Sequence, residues 1–117
     1  MLLVFFGVVG VFLRYFAGLH LVWGGFPVAT LLVNVLGCFG IGMLYTLHQQ
    51  GLSGGLSALC YMSLTVGLLG ALTTFSGFAI DTLKLFESGQ VMLGGLNLFL
   101  NNFLGLVACY LGLRVFT

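Results

Sequence analysis

Five side chains in this sequence carry a full charge at neutral pH: Arg14, Lys84, Arg114, Asp81 and Glu87. They make up 4% of the chain, where a soluble domain carries about a quarter. With 61% of its 117 residues apolar, such a chain cannot furnish a water-facing surface. Its solvent is lipid, and a spanning helix needs about 20 mostly apolar residues to cross about 30 Å of hydrocarbon. The length therefore accommodates about four helices in a single transmembrane domain over residues 1–117. No residues remain for a soluble catalytic module.

Sparse polar clusters mark the ends of the apolar stretches. The first runs over residues 2–22 and closes at His20 and at Trp23-Gly24-Gly25-Phe26-Pro27, where an interfacial tryptophan and a helix-starting proline suit a tight connection. The second runs from about 28 to 47 and closes at His48-Gln49-Gln50-Gly51. The third, long at about 28 residues, runs from about 56 to 83 and closes at Lys84 through Gly89, and the last runs from about 91 to 115. A cleaved secretory signal would open with basic residues, and Met1-Leu2-Leu3-Val4 has none, so the first stretch is read as a retained span. Cys38, Cys60 and Cys109 lie in or beside apolar stretches at scattered spacings and read as small buried hydrophobes. His20 and His48 read as ordinary interfacial residues.

Four spans place both termini on one side, so Arg114 lies on that side, Lys84 on the other, and Arg14 within the first span. The positive-inside rule requires an imbalance of Lys and Arg between sides, and here there is almost none. Insertion in both orientations follows, and two copies could then pair antiparallel. A partner subunit or the insertion machinery that selects one orientation is the plainer alternative.

The polar residues inside the spans are few and patterned. Gly7, Gly10, Arg14 and Gly18 share one helical face that permits close helix contact and bears one charge. An arginine there costs several kcal/mol (about 2.5 to 3.5 at the bilayer centre) unless it snorkels or meets a polar cavity. It serves either as a headgroup anchor or as a source of positive potential at an anion entrance. In the second span Thr30, Asn34 and Gly37 share a face, and Asn34 is suited equally to interhelical hydrogen bonding and to lining a pore. In the fourth, Asn97, Asn101 and Gly105 recur at four-residue spacing with Asn102 adjacent, which describes a polar track.

The third stretch carries GLLGALTTFSGF at residues 67–78. Gly67, Gly70 and Gly77 around Thr73-Thr74 predict a break in the helix near mid-membrane. Unwound backbone is tolerated at that depth only where it is buried in protein or lines a cavity. A broken helix offers carbonyl oxygens on one half and N–H groups on the other, so it can hold a cation and lie near an anion. Phe75 and Phe78, three residues apart, face the same way. Their electropositive ring edges could accommodate a small anion, although periodicity alone more often signals core packing.

GVVGVFLRYF (7–16), VATLLVNVLGCFGIG (28–42) and GLLGALTTFSGF (67–78), in that order on four short spans, resemble the CrcB/Fluc family of small fluoride channels. The resemblance is strong over about the first 80 residues and rests on spacing alone in the fourth span. It implies an antiparallel dual-topology dimer with two pores through which fluoride leaves the cell passively. By that likeness Phe75, Phe78 and Asn34 line the fluoride pathway, joined by Asn97 and Asn101, which stand where the family commonly has a tyrosine and a serine. The backbone carbonyls of Gly70 and Thr73, from both subunits, would hold a structural sodium ion, and Arg14 would stand at the vestibule. The chain departs from the family pattern at Gly77 (usually threonine), Phe6 (often glycine) and Ala29 (usually glycine). These departures bear on conductance and keep open a heterodimer of two family members with one degenerate pore.

Nothing in the sequence couples transport to an energy source, since Asp81 and Glu87 both fall near the end of the third span. A dual-topology exporter of cations would want a membrane-embedded glutamate, and no acidic residue precedes Asp81. A non-transporting assembly subunit, with glycines and asparagines serving packing alone, is the second rival. Enzymatic activity lacks a nucleophile with a base, a metal-ligand cluster or a phosphate loop. Nucleic-acid binding lacks a basic patch.

Overall fold

The computed structural model describes residues 1–21, 23–51 and 57–117. Val22 and Leu56, at the expected edges of the first and third spans, lie outside the described residues. The chain is all-α. Helix α1 covers Leu2–His20 and α2 covers Val28–Gln49; α3 (Ala58–Met62) continues through a π-helical segment, Ser63–Leu69, into α4 (Gly70–Leu72). After Thr73 and Thr74 come α5 (Phe75–Glu87) and α6 (Val91–Arg114). Four stretches among the described residues are long and apolar enough to cross a membrane: Leu2–His20, Val28–Gln49, Ala58–Glu87 and Val91–Arg114.

Turn chemistry explains the connections. Gly24 and Gly25 have φ of 56° and 79°, the double positive φ of a tight reversal that glycine adopts without strain, and Phe26 N–H closes it onto the Trp23 carbonyl at 2.9 Å. At the end of α5, Gly89 (φ 79°) donates to the Phe86 carbonyl and Gln90 to the Leu85 carbonyl, the paired bonds of a Schellman motif. That motif ends the third span at Glu87, four residues beyond the expected residue 83. Lys84 is exposed and its aliphatic stem is tolerated in the last turns of a span.

The helices meet through glycines. Helix α2 packs along α6, where a Cβ on Gly42 would collide with the Cys109 carbonyl and one on Gly112 with the Phe39 carbonyl. The two backbones approach each other reciprocally, as small residues allow in membrane helix pairs. The glycine face of α1 does the same with the third span. A Cβ on Gly10 would meet the Leu68 carbonyl, and one on Gly67 would stand 2.9 Å from the Leu3 carbonyl. Gly67 belongs to the π-helical segment, which sequence reading did not anticipate. There the hydroxyls of Ser63 and Thr65 donate back to the carbonyls of Leu59 and Tyr61 at 2.7 and 2.8 Å. Side-chain bonds of this kind compete with the regular ladder and favour a widened turn.

The interior inverts the order of a soluble domain. Asn97 and Ser63 are the largest fully buried side chains, whereas Phe5, Phe12, Val66 and Leu106 lie on the outside. Lipid removes the driving force to bury hydrocarbon, so the centre goes to groups that need hydrogen bonds.

Candidate anion pathway

The helix stops at Leu72 and resumes at Phe75. Between them Thr73 (φ −78°, ψ 154°) and Thr74 (φ −150°, ψ 110°) are extended. Thr74 caps α5, its hydroxyl accepting the Gly77 N–H at 2.9 Å, which satisfies a donor that the helix start leaves without a partner. The absent Cβ of Gly77 matters here, because one would lie 2.8 Å from Thr74 Cγ2. The departure at Gly77 and the capping rotamer of Thr74 fit each other.

The carbonyls before this break, those of Gly70 and Thr73 among them, lose their helical partners. The Thr74 N–H, which an unbroken helix would give to Gly70, donates to Asn34 Oδ1 at 2.8 Å. The Gly77 N–H, which would go to Thr73, is taken by the cap. The Thr73 carbonyl instead accepts Arg14 Nη1 at 3.3 Å. Neutral carbonyl oxygens freed from a helix are the donor set suited to a sodium ion, so Gly70 and Thr73 fit that role chemically. The guanidinium already occupies one lone pair of Thr73.

Beside the break lies a cavity of about 300 Å³, lined among others by Asn34, Gly70, Thr73, Phe75, Phe78 and Asn101. Asn34 Nδ2 donates to the Thr74 carbonyl at 3.3 Å and to Asn101 Oδ1 at 3.0 Å. The rings of Phe75 and Phe78 stand edge-on to each other at 5.4 Å and 62°. They differ in environment: Phe75 is 79% exposed, whereas Phe78 is 7% exposed. Six of the expected site residues thus meet at one cavity, and two do not. Asn97 is wholly buried behind it, donating to Thr82 Oγ1 at 2.9 Å. Arg14 lines a second cavity of about 580 Å³ together with Thr30, Ser76, Gly77 and Asp81, and Thr74 borders both.

Sequence reading missed Asp81 and Thr30 as a pair. Thr30 Oγ1 donates to Asp81 Oδ2 at 2.8 Å. The sequence alone places Asp81 near the end of the third span. Because α5 continues to Glu87, it sits roughly 9 Å inside that end at 1.5 Å per residue. The available signal was spacing, since Asp81 stands four residues after Gly77 and so shares its side of the helix.

A glycine-packed, four-span helical membrane protein with a cavity, edged by amides and aromatic rings, at a break in its third span is the class that this fold and site define. Residues 1–113 match the family described as CrcB-like protein, Camphor Resistance (CrcB), and the chain belongs to that family. It is 43% identical over 116 residues to a fluoride-specific ion channel FluC of Campylobacter jejuni, covering 96% of this chain and 92% of the relative. A FluC of Rhizobium etli is 38% identical over 112 residues, covering 93% and 88%. One of Aliivibrio salmonicida is 41% identical over 91 residues, covering 78% and 71%. The protein is a multi-pass protein of the cell membrane.

Proposed function

We propose that this protein is a fluoride channel that lets the ion leave the cell passively, working as an antiparallel dimer with two pathways. The observation that carries this reading is the meeting of Phe75, Phe78, Asn34 and Asn101 at the break cavity. Family membership and the named function of its relatives supply fluoride as the ion. Fluoride is small and holds water tightly, so a pathway must replace that water with N–H, O–H and ring-edge donors that let go again. Asn34 offers such a donor: its 3.3 Å bond to Thr74 is the longer of its two and the easier to exchange for an anion. Arg14, at the neighbouring cavity, contributes positive potential at the approach. In the dimer, a second copy covers the ring of Phe75, which one chain leaves exposed.

The carbonyls of Gly70 and Thr73, with their counterparts in the second copy, would hold the sodium ion. Its positive charge would tie the two breaks together.

The test is fluoride efflux from liposomes that contain the purified chain alone, with chloride as control and Phe75→Ile as variant. Rapid fluoride release that chloride does not share, slowed in Phe75→Ile, is the expected result. Absence of efflux from folded protein, unrestored by co-expression of a second family member, would overturn the channel reading.

A further inference from the structure

Six side-chain and backbone groups on three helices form a continuous hydrogen-bonded chain with a single direction. The Thr74 N–H donates to Asn34 Oδ1 at 2.8 Å, and Asn34 Nδ2 donates to Asn101 Oδ1 at 3.0 Å. Asn101 Nδ2 donates to Asn97 Oδ1 at 2.9 Å and to the Asn97 carbonyl at 3.0 Å. Asn97 Nδ2 donates to Thr82 Oγ1 at 2.9 Å, and the Thr82 hydroxyl donates to the Phe78 carbonyl at 2.8 Å.

Both ends of the chain are backbone groups whose polarity cannot change. A peptide N–H can only donate, so the atom of Asn34 that meets the Thr74 N–H must be its oxygen. That choice turns the Asn34 nitrogen toward Asn101, which must then answer with oxygen. The Asn97 carbonyl, which can only accept, independently requires the Asn101 nitrogen where it stands. At the far end the Phe78 carbonyl draws the Thr82 hydroxyl proton, leaving the Thr82 oxygen to accept from Asn97. Inverting any one amide would break bonds on both of its sides. A buried polar group left without its partner is costly, so the chain has one stable sense.

We propose that Asn97 and Thr82 are positioning residues that determine the ion preference of the pathway through Asn101 and Asn34. This deepens the channel reading and rests on it. With the ladder intact, the Asn34 and Asn101 amide oxygens are both held by donors. The cavity between Asn34 and Phe78 is then offered ring edges and the one Asn34 N–H whose 3.3 Å bond to the Thr74 carbonyl an anion can replace. Without the ladder, Asn34 loses the fixed acceptor for its nitrogen and only the Thr74 N–H opposes its inversion, which would turn the oxygen inward, where it repels fluoride and welcomes cations. Asn97 therefore acts from behind the cavity rather than by touching the ion, which accounts for its complete burial.

The experiment uses Thr82→Val, which keeps the shape and removes the hydroxyl, and Thr82→Ser, which restores it. Two quantities are read on the full chain: hydrogen exchange at the Thr74 peptide N–H, and fluoride efflux from liposomes. Thr82→Val is expected to speed Thr74 exchange about five- to tenfold, the loss of roughly one hydrogen bond, and to slow efflux. Thr82→Ser should leave both near the parent values. In an Asn34→Ala background, Thr82→Val should produce no further change in Thr74 exchange. Unchanged Thr74 exchange in Thr82→Val, or additive changes in the double variant, would overturn the ladder proposal. If Thr82→Val fails to fold, Asn97→Ser in the same two measurements takes its place. Parent protein that fails to release fluoride would overturn the channel reading instead, and the exchange arm decides the ladder independently.

Discussion

Asn34 Oδ1 accepts the peptide N–H of Thr74 at 2.8 Å, the hydrogen bond that an unbroken helix would give to the carbonyl of Gly70. One side chain on α2 thereby stabilises the interruption of the third span. In hydrocarbon an unpaired peptide N–H costs several kcal/mol, so without this acceptor the chain would favour a continuous helix through Thr74.

Asn34→Leu should therefore close or destabilise the break. We expect a fall of several degrees in the detergent melting temperature, consistent with a loss of about 1 to 3 kcal/mol. Fluoride efflux should be lost as well. A thermal melt beside liposome flux checks both, and an unchanged melting temperature would show that the break stands without Asn34.

The two phenylalanines should separate function from stability. Phe75 is 79% exposed and Phe78 is 7% exposed, although their rings touch. Phe75→Ala should leave the melting temperature of the single chain nearly unchanged while slowing fluoride release. Phe78→Ala removes a buried ring and should destabilise by about 3 to 5 kcal/mol. Equal losses of stability in the two variants would contradict the difference in burial.

Arg14 has two roles that a neutral donor can divide. Arg14→Gln keeps an N–H to offer the Thr73 carbonyl but removes the charge beside the second cavity. The variant should fold with near-parental stability and release fluoride several-fold more slowly, with a weaker dependence on salt. Slow release together with gross instability would mean that charge, not hydrogen bonding, anchors the break.

Glycines differ in what surrounds them, and substitution should follow the surroundings. Gly42→Leu and Gly112→Leu would drive side chains into the facing backbones of α6 and α2, and neither variant should be recovered folded. Gly18 and Gly95 have open space where a Cβ would go, so Gly18→Ala and Gly95→Ala should purify and melt like the parent. Gel-filtration profiles of the four variants test this.

Gly77→Thr would introduce the residue that the family resemblance leads one to expect there. Its Cβ would press on Thr74 Cγ2 and oblige the capping side chain to rotate. We expect a modest loss of stability, of order 1 kcal/mol for a weakened cap, unless a second change makes room. Melting curves of Gly77→Thr alone and beside Gly77→Ala measure it.

Much of this architecture follows from local chemistry and was legible before any coordinates. Near-absence of charge excludes water as solvent, runs of about 20 apolar residues set the spans, and Gly-Gly and Ser-Gly segments mark where they turn. The Thr73-Thr74 pair among glycines marked the interruption, because threonine caps and glycine weakens a helix. The shared face of Gly7, Gly10 and Arg14 does pack on the third span, since helical spacing determines which residues share a side whatever they meet.

Tertiary structure alone decided which partner each polar group finds. Asn34, Asn97 and Asn101 look alike in sequence, yet one meets the break, one is sealed behind the cavity, and one joins them. Asp81 looked like a residue of a span end until α5 ran on and Thr30, on another helix, reached its carboxylate. The π-helical segment Ser63–Leu69 likewise brings Gly67 against the α1 backbone, a contact that sequence spacing does not announce. Apolar runs report a transfer free energy that each residue carries with it. Hydrogen bonds between helices depend on direction and on distances of a few tenths of an ångström, and those exist only once the helices have packed.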